Sequence, residues 1–553
     1  MSKYTIGVDF GTASGRAAIV DVKTGIELAD SVFEYPHGVM DSYLPDGTPL
    51  GIDWALQHPQ DYLDVLYHTI PDILKKSGVS PDDVIGMGID FTACTILPVK
   101  NDGTPLCTLP EYKNEPNAYV KLWKHHAAQD KANIINEKAE EMNQQWIKRY
   151  GGKISSEWQL PKVWQVLDEA PQIYEEADFF VEAADWVTWQ LCGVLCKNTC
   201  CAGYKGLWHH KDGYPSKEFL KALDPRLENF VEDKLNYPIV QLCSKVGGLT
   251  KDMARKLSLN QGTTVASPII DAHVAFPAVK ITKPNTLLAI MGTSTCHIVV
   301  SEEEHLVPGI SGVVAGGVYP GFYAYEAGQA CVGDHFSWFV ENCVPASYHD
   351  EARAQNVNIH QLLRQKAEKQ QPGQSGLIAL DWWNGNRSIL VDGDLTGMML
   401  GMTLRTKPED MYRALIEATA FGTRKIVETY KDNGVRIDEI IASGGISQKD
   451  PMTMQIYADV LNLPIKIAGT TQCGALGSAI YAAVAAGEEN GGYSDIITAA
   501  EAMGKLKETG YTPKEENVPL YNILYKEYNI LHDYFGKGVN DVMKRLKNLK
   551  KSI

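Results

Sequence analysis

Two short turns carry the plainest chemistry in this 553-residue sequence. Residues 4–10, YTIGVDF, read as a buried strand, followed by the turn Gly11-Thr12-Ala13-Ser14-Gly15 and a second apolar run, RAAIVD. The stretch LLAIMGTSTCHIVV repeats the plan, with Gly292-Thr293-Ser294-Thr295 between its runs. So few turn residues exclude a crossover helix, so each unit is a hairpin. Gly444 and Gly445 likewise follow a strand-like run in EIIASGGISQ. Glycine turns past strand ends bring backbone N–H groups together with no side chain in the way, which suits phosphate. Thr12 and Thr293 add hydroxyl donors, and Asp9 puts a carboxylate within reach of a magnesium ion. A triphosphate with Mg2+ needs both kinds of group. The P-loop pattern G-x-x-x-x-G-K-[ST] is absent, and no strand–turn–helix unit carries G-x-G-x-x-G, which disfavours P-loop and Rossmann nucleotide sites.

The elements that position these turns alternate between strands and helices, which indicates an α/β fold. VIGMGIDFTAC (84–94) pairs in style with EIIASGGISQ (439–448), so the chain reads as a duplication whose halves meet near residues 278–286. The expected domains are 1–280 and 281–553. The segment NAYVKLWKHHAAQDKANIINEKAEEMNQQW shows a helical pattern. PEDMYRALIEATAFGTRKIVETYKDNG reads as a helix starting at Pro408 and stopping at Gly434. The stretch from about residue 519 reads as one basic amphipathic helix.

Composition narrows the function classes. With 52 Lys+Arg against 68 Asp+Glu, the formal charge of −16 disfavours nucleic acid and anionic membranes as partners. The opening MSKYTIGVDFG lacks a signal-peptide core, and no apolar run reaches transmembrane length, so a cytoplasmic address is expected. Cys192, Cys196, Cys200 and Cys201, with His209 and His210 nearby, lack paired C-x2-C knuckles, so packing rather than zinc is expected there.

The set DFGTASGRAAIVD, MGTSTC and ASGGISQKDPMTMQIYADVLNLPI resembles the two phosphate motifs and the adenosine motif of the actin-like ATPase superfamily. Within it, EWQLPKVWQVLDEAP and TGMMLGMTLRTKPEDMYRALIEATAFGTR resemble the two signatures of the FGGY carbohydrate kinases. The resemblance covers nearly the whole chain and implies two actin-like (RNase H-like) domains, each a mixed sheet flanked by helices, closing on a central cleft for ATP and sugar. DFTAC, AYVKLWKHHAAQDKAN, CCAGYKGLW, PIIDAHVAFPAV and AYEAGQACVGDHFSWFV resemble members that phosphorylate a ketopentose, with L-ribulose phosphorylated on O5 as the first expectation. Kinases of xylulose or of ribitol or ribulose are the alternatives, and an actin-like ATPase switch or chaperone is a more distant one. A homodimer is compatible with the sequence.

The resemblance also implies roles. Asp271, in PIIDAH, matches the family's catalytic aspartate, placed to take the proton that a sugar hydroxyl releases on phosphoryl transfer. Ala93, Trp123, Lys205 and Glu326 match sugar-contacting positions, together with Asp271. Gly11, Thr12, Gly292 and Thr293 would flank the ATP phosphates, Gly444, Gly445 and Gln448 would lie by the adenosine, and Asp9 would reach Mg2+. His273 is expected to be structural.

Overall fold

Apolar runs bounded by glycine turns become the strands of two seven-stranded sheets in a computed structural model that describes residues 2–552. The first sheet comprises β1 (Tyr4–Phe10), β2 (Ser14–Asp21), β3 (Glu27–Glu34), β4 (Val84–Phe91), β5 (Lys245–Gly248), β6 (Thr264–Ala266) and β7 (Ile269–Ile270). The second comprises β8 (Thr286–Met291), β9 (Thr295–Ser301), β10 (Gly312–Ala315), β11 (Tyr323–Gln329), β12 (Glu439–Ser443), β13 (Ile465–Ala468) and β14 (Leu506–Tyr511).

The two sheets repeat one plan. In the first, β3, β2 and β1 pair antiparallel, then β4 and β6 add in parallel, and β5 closes the edge antiparallel. In the second, β11, β9 and β8 do the same, followed by parallel β12 and β13 and antiparallel β14. The duplication inferred from the hairpins is therefore carried by whole sheets. These are mixed sheets, as expected for an α/β chain with antiparallel meanders beside parallel strands.

Helices fill the space around them: α1 (Gln129–Glu141), α2 (Gln159–Glu169), α3 (Thr199–Tyr204), α4 (Asp271–Ala278), α5 (Gly333–Cys343), α6 (Pro408–Asp432), α7 (Gly445–Lys449), α8 (Cys473–Ala486), α9 (Val518–Gly536) and α10 (Val542–Ser552). Helix α8 belongs to the second half of the sequence yet packs on β1 and β4 of the first sheet. Glycines permit that approach. A Cβ at Gly7 would lie 1.8 Å from the Ala475 carbonyl oxygen, and one at Gly88 2.3 Å from that of Ser478. Leu476 and Ile480 of α8, with Val274 of α4, join Ala18 and Val20 of the first sheet to Leu288 and Ile298 of the second in one buried core.

Two helical expectations need correction. Only residues 129–141 of the 117–146 pattern form an α-helix. Val120 and Lys121 instead pair with Gln57 and Leu56, and Trp123 lies in the turn that follows. Strand pairing here outweighs a 3.6-residue pattern, because Lys121 is buried with its ammonium 4.1 Å from the Trp54 ring centre. The C-terminal stretch is two helices, α9 and α10, separated by a turn in which Gly538 adopts φ +78°. Helix α6 does start at Pro408; Asn433 caps it and Gly434 follows at φ +90°.

Candidate active site

The β1–β2 turn is tight: the Gly11 N–H donates to the Ser14 carbonyl (3.0 Å). Its partner turn is one residue tighter, with the Gly292 N–H donating to the Ser294 carbonyl at 2.9 Å. The glycines therefore shape the turns. Surrounding groups hold each turn in place. The Tyr35 hydroxyl donates to the Gly11 carbonyl (3.0 Å), and Gln57 Nε2 donates to the Thr12 carbonyl (2.8 Å). The N–H of Gly333, at the start of α5, donates to the carbonyls of both Gly292 and Thr293 at 3.0 Å.

Next to the second turn opens a cavity of about 640 Å³, lined by Gly333, Phe336, Tyr412, Gly445, Ile446 and Met452 among others. That is roomy enough for a small organic ligand. Gly333 both lines the cavity and bonds to the Gly292-Thr293 turn, so the two are adjacent. Gly444 adopts φ +90°, and a Cβ there would lie 2.3 Å from the Met291 carbonyl oxygen, so only glycine fits. Gln448 donates its side-chain amide to the Ala468 carbonyl (2.8 Å), tying α7 to β13; Gly445, Ile446 and Lys449 are the α7 residues that line the cavity. Phe336, Tyr412 and Met452 were not singled out from sequence; they lie on elements far apart in the chain.

Three carboxylates gather where β1, β4 and β7 end. The parallel register sets Asp9 beside Asp90, and Asp90 beside Ile269, one residue short of the β7 end from which Asp271 opens α4. Phe10 and Phe91, the next residues of β1 and β4, stack at 4.9 Å and fix that register. Asp90 is fully buried and accepts from Ser478 Oγ (2.6 Å). Burial, then the Asp9 charge, push the Asp90 carboxyl well up, and burial also raises that of Asp9. Burial, then the Asp9 charge and to a lesser degree Glu326, raise the Asp271 carboxyl to about 7. Gly474 of α8 sits directly against Asp9: a Cβ there would be 2.5 Å from Asp9 Oδ2.

A second cluster pairs opposite charges. Lys205 Nζ lies 3.2 Å from Glu157 Oε2 and 3.8 Å from the Trp158 ring centre. Arg387 Nη2 donates to Glu326 Oε1 (2.7 Å). Lys205 and Glu326 side chains are 3% and 5% exposed, whereas those of Glu157 and Arg387 keep 24% and 29%, so the cluster reaches water on one side. Burial alone would raise both acids, but Lys205 and Arg387 bring Glu157 down to about 2 and Arg387 and Lys205 hold Glu326 below the usual range. His273 is buried against the Tyr204 ring at 4.3 Å, with Nε2 3.4 Å from Glu326 Oε2. Burial holds its imidazole down at about 4 and therefore neutral.

The remaining expected residues border these clusters. Trp123 is 37% exposed and donates from Nε1 to Thr12 Oγ1 (3.1 Å), so it touches the first phosphate turn. Ala93 is half-buried in the turn after β4, where Cys94 adopts φ +46°. Lys162 of α2 is fully buried and donates to the carbonyls of Cys94 (2.6 Å) and Leu122 (2.9 Å), stapling the loops that bear Ala93 and Trp123. Sequence reading missed Glu157, Lys162 and Arg387 as site residues. Glu157 and Lys162 lie inside the first signature-like stretch, a signal that was available; Arg387 sits in WWNGNRSIL, which carries none.

Among the described residues, one group could hold a transition metal: His37, His58 and Asp61. Its imidazoles stack at 4.3 Å with planes 17° apart, and His37 Nδ1 already pairs with Asp61 Oδ1 at 2.6 Å. In-plane lone pairs of stacked rings do not converge on one ion. The four cysteines of the 192–201 segment are buried, and Cys192 Sγ donates to the Thr188 carbonyl (3.2 Å). Among the described residues, no helix is long and apolar enough to cross a membrane.

Comparison with known proteins decides the family. The model of the FGGY carbohydrate kinase N-terminal domain matches residues 4–276, and that of the C-terminal domain matches residues 287–486. The chain belongs to the FGGY family of carbohydrate kinases. A relative named "Ribulokinase" from Geobacillus thermodenitrificans is 56% identical, with 100% of this chain and 98% of that protein covered. Another of that name from Bacillus licheniformis is 57% identical, with 97% of each covered. Among solved structures, a gluconate kinase from Lactobacillus acidophilus matches with a TM-score of 0.80 at 18% identity, covering 97% of this chain and 99% of that one. A xylulose kinase from Rhodospirillum rubrum matches at 0.78 and 20%, covering 96% and 98%. Those two likenesses establish the fold. Membership of the FGGY kinases makes the chain an ATP-dependent sugar kinase and sets it apart from the ATP-driven switches that share its phosphate turns.

Proposed function

We propose that the chain transfers the γ-phosphoryl group of ATP to O5 of a ketopentose, L-ribulose, with Asp271 as general base. The observation that supports this best is the setting of Asp271. It lies where the strands behind the first phosphate turn end, and it shares an electric field with both Asp9 and Glu326. A sugar held by Lys205, Glu326, Trp123 and the Ala93 turn would have a hydroxyl beside that carboxylate. The O5–H proton passes to Asp271, O5 bonds to the γ-phosphorus, and the bond from that phosphorus to ADP breaks. The names of the full-length relatives support ribulose as the acceptor.

On this reading the adenosine occupies the cavity beside Gly445, with the phosphates between the Gly11-Thr12 and Gly292-Thr293 turns. Asp9, an oxygen donor beside the first turn, is the residue that would hold Mg2+, and its chemistry fits that hard cation. When bound, Mg2+ neutralises charge on the phosphates. Residues 1–280 and 281–553 act as two domains whose closure excludes water from ATP. A coupled ATP-consumption assay with L-ribulose, D-ribulose, L- and D-xylulose and ribitol, with and without Mg2+, tests the proposal. The expected result is Mg2+-dependent turnover with the highest kcat/KM on L-ribulose; a higher value on any other sugar contradicts it.

A further inference from the structure

We infer that Arg387 is a positioning residue for the acceptor sugar: it holds the Glu326 carboxylate in one fixed orientation for the sugar to meet. The inference rests on the proposed role of Glu326 and extends it. Glu326 lies in β11 with 5% of its side chain exposed, and a buried carboxylate without a partner is costly. Arg387 Nη2 meets Oε1 at 2.7 Å, which fixes the orientation of the carboxylate and still leaves it lone pairs to accept a sugar hydroxyl. Oε2 lies 3.4 Å from Nε2 of buried His273, which supplies no compensating charge while neutral.

The backbone around the pair is built to seat the guanidinium. Two residues after Glu326, β11 has Gly328, where an added Cβ would lie 3.0 Å from Arg387 Nη1 and 3.2 Å from its Cδ. The Gly328 N–H donates to Ser388 Oγ (3.2 Å), so the loop that carries Arg387 is pinned to the strand that carries Glu326. The guanidinium is a planar fork with fixed donor directions, and lysine could supply the charge without that geometry. The positive charge of Arg387 also reaches Glu157 and, with Lys205, offsets the two acids of the cluster.

The test is a double-variant cycle on the full chain, reading the KM of each substrate and kcat. Losing a charge-assisted hydrogen bond of this kind changes affinity by on the order of tenfold to a hundredfold. Arg387→Met is therefore expected to raise the sugar KM by about tenfold or more while the ATP KM moves by less than about twofold. Arg387→Lys is expected to recover part of the loss. Glu326→Gln leaves no carboxylate to hold, so adding Arg387→Met to it is expected to raise the sugar KM by no more than about threefold further. That neutral pair also serves where the single change fails to fold. Fully additive effects, an ATP KM that rises in parallel, or an unchanged sugar KM in Arg387→Met would each overturn the inference. The unaltered protein, assayed alongside, separates the two readings. Failure to turn over L-ribulose ends the functional proposal, and the cycle is then run on whichever pentose is accepted.

Discussion

On the proposed phosphate side, Gly11-Thr12 and Gly292-Thr293 are shaped by backbone bonds that close within each turn and braced by neutral donors, the Tyr35 hydroxyl, the Gln57 amide and the Gly333 N–H. On the proposed sugar side, Glu157 meets Lys205 across 48 residues and Glu326 meets Arg387 across 61. One side relies on main-chain geometry and neutral hydrogen bonds, the other on charges that neutralise one another. The difference suits the ligands. A polyphosphate brings its own charge and needs many small donors. A neutral sugar brings none, and must be oriented by a few strong, pre-arranged polar groups. It also explains how a chain of formal charge −16 can accept ATP without a basic cluster at the phosphate turns.

Substitutions can break this contrast. Lys205→Ala removes a cation from the charge cluster, and the expected outcome is a sugar KM raised about tenfold to a hundredfold with little change for ATP. Steady-state kinetics on both substrates check it, and a larger effect on ATP would erase the distinction between the two sides. A smaller, opposite effect is expected from Gly444→Ala. A Cβ there meets the Met291 carbonyl at 2.3 Å and forces a backbone that only glycine adopts freely. The ATP KM should rise by roughly threefold to tenfold and Tm should fall by a few degrees, with the sugar KM unchanged. Calorimetry and the same kinetics measure both.

The same contrast governs what could be read from sequence. The hairpin turns were legible because their glycines, threonines and flanking apolar strands are contiguous; Asp271 stood out only because PIIDAH resembles the family's catalytic segment. The paired plan of the two sheets followed from the repeated hairpin. Arg387 was not legible, since an isolated arginine gains its meaning from Glu326 and Gly328 on a strand 61 and 59 positions earlier. The segment around Trp123 was misread as helix because burial of Lys121 against Trp54 depends on Val120–Lys121 pairing with a distant strand. Local chemistry is written in the chain; partners across sheets and loops are not.

On the proposed mechanism both sides meet at Asp271, and one variant tests that meeting most directly. Asp271→Asn keeps the size and most of the hydrogen bonding of the side chain and removes its capacity to take a proton. Isothermal calorimetry with L-ribulose, paired with turnover of the same preparation, should show a Kd within about threefold of the unaltered protein and a kcat reduced by on the order of 10²- to 10⁴-fold. Near-normal turnover in that variant would contradict the account.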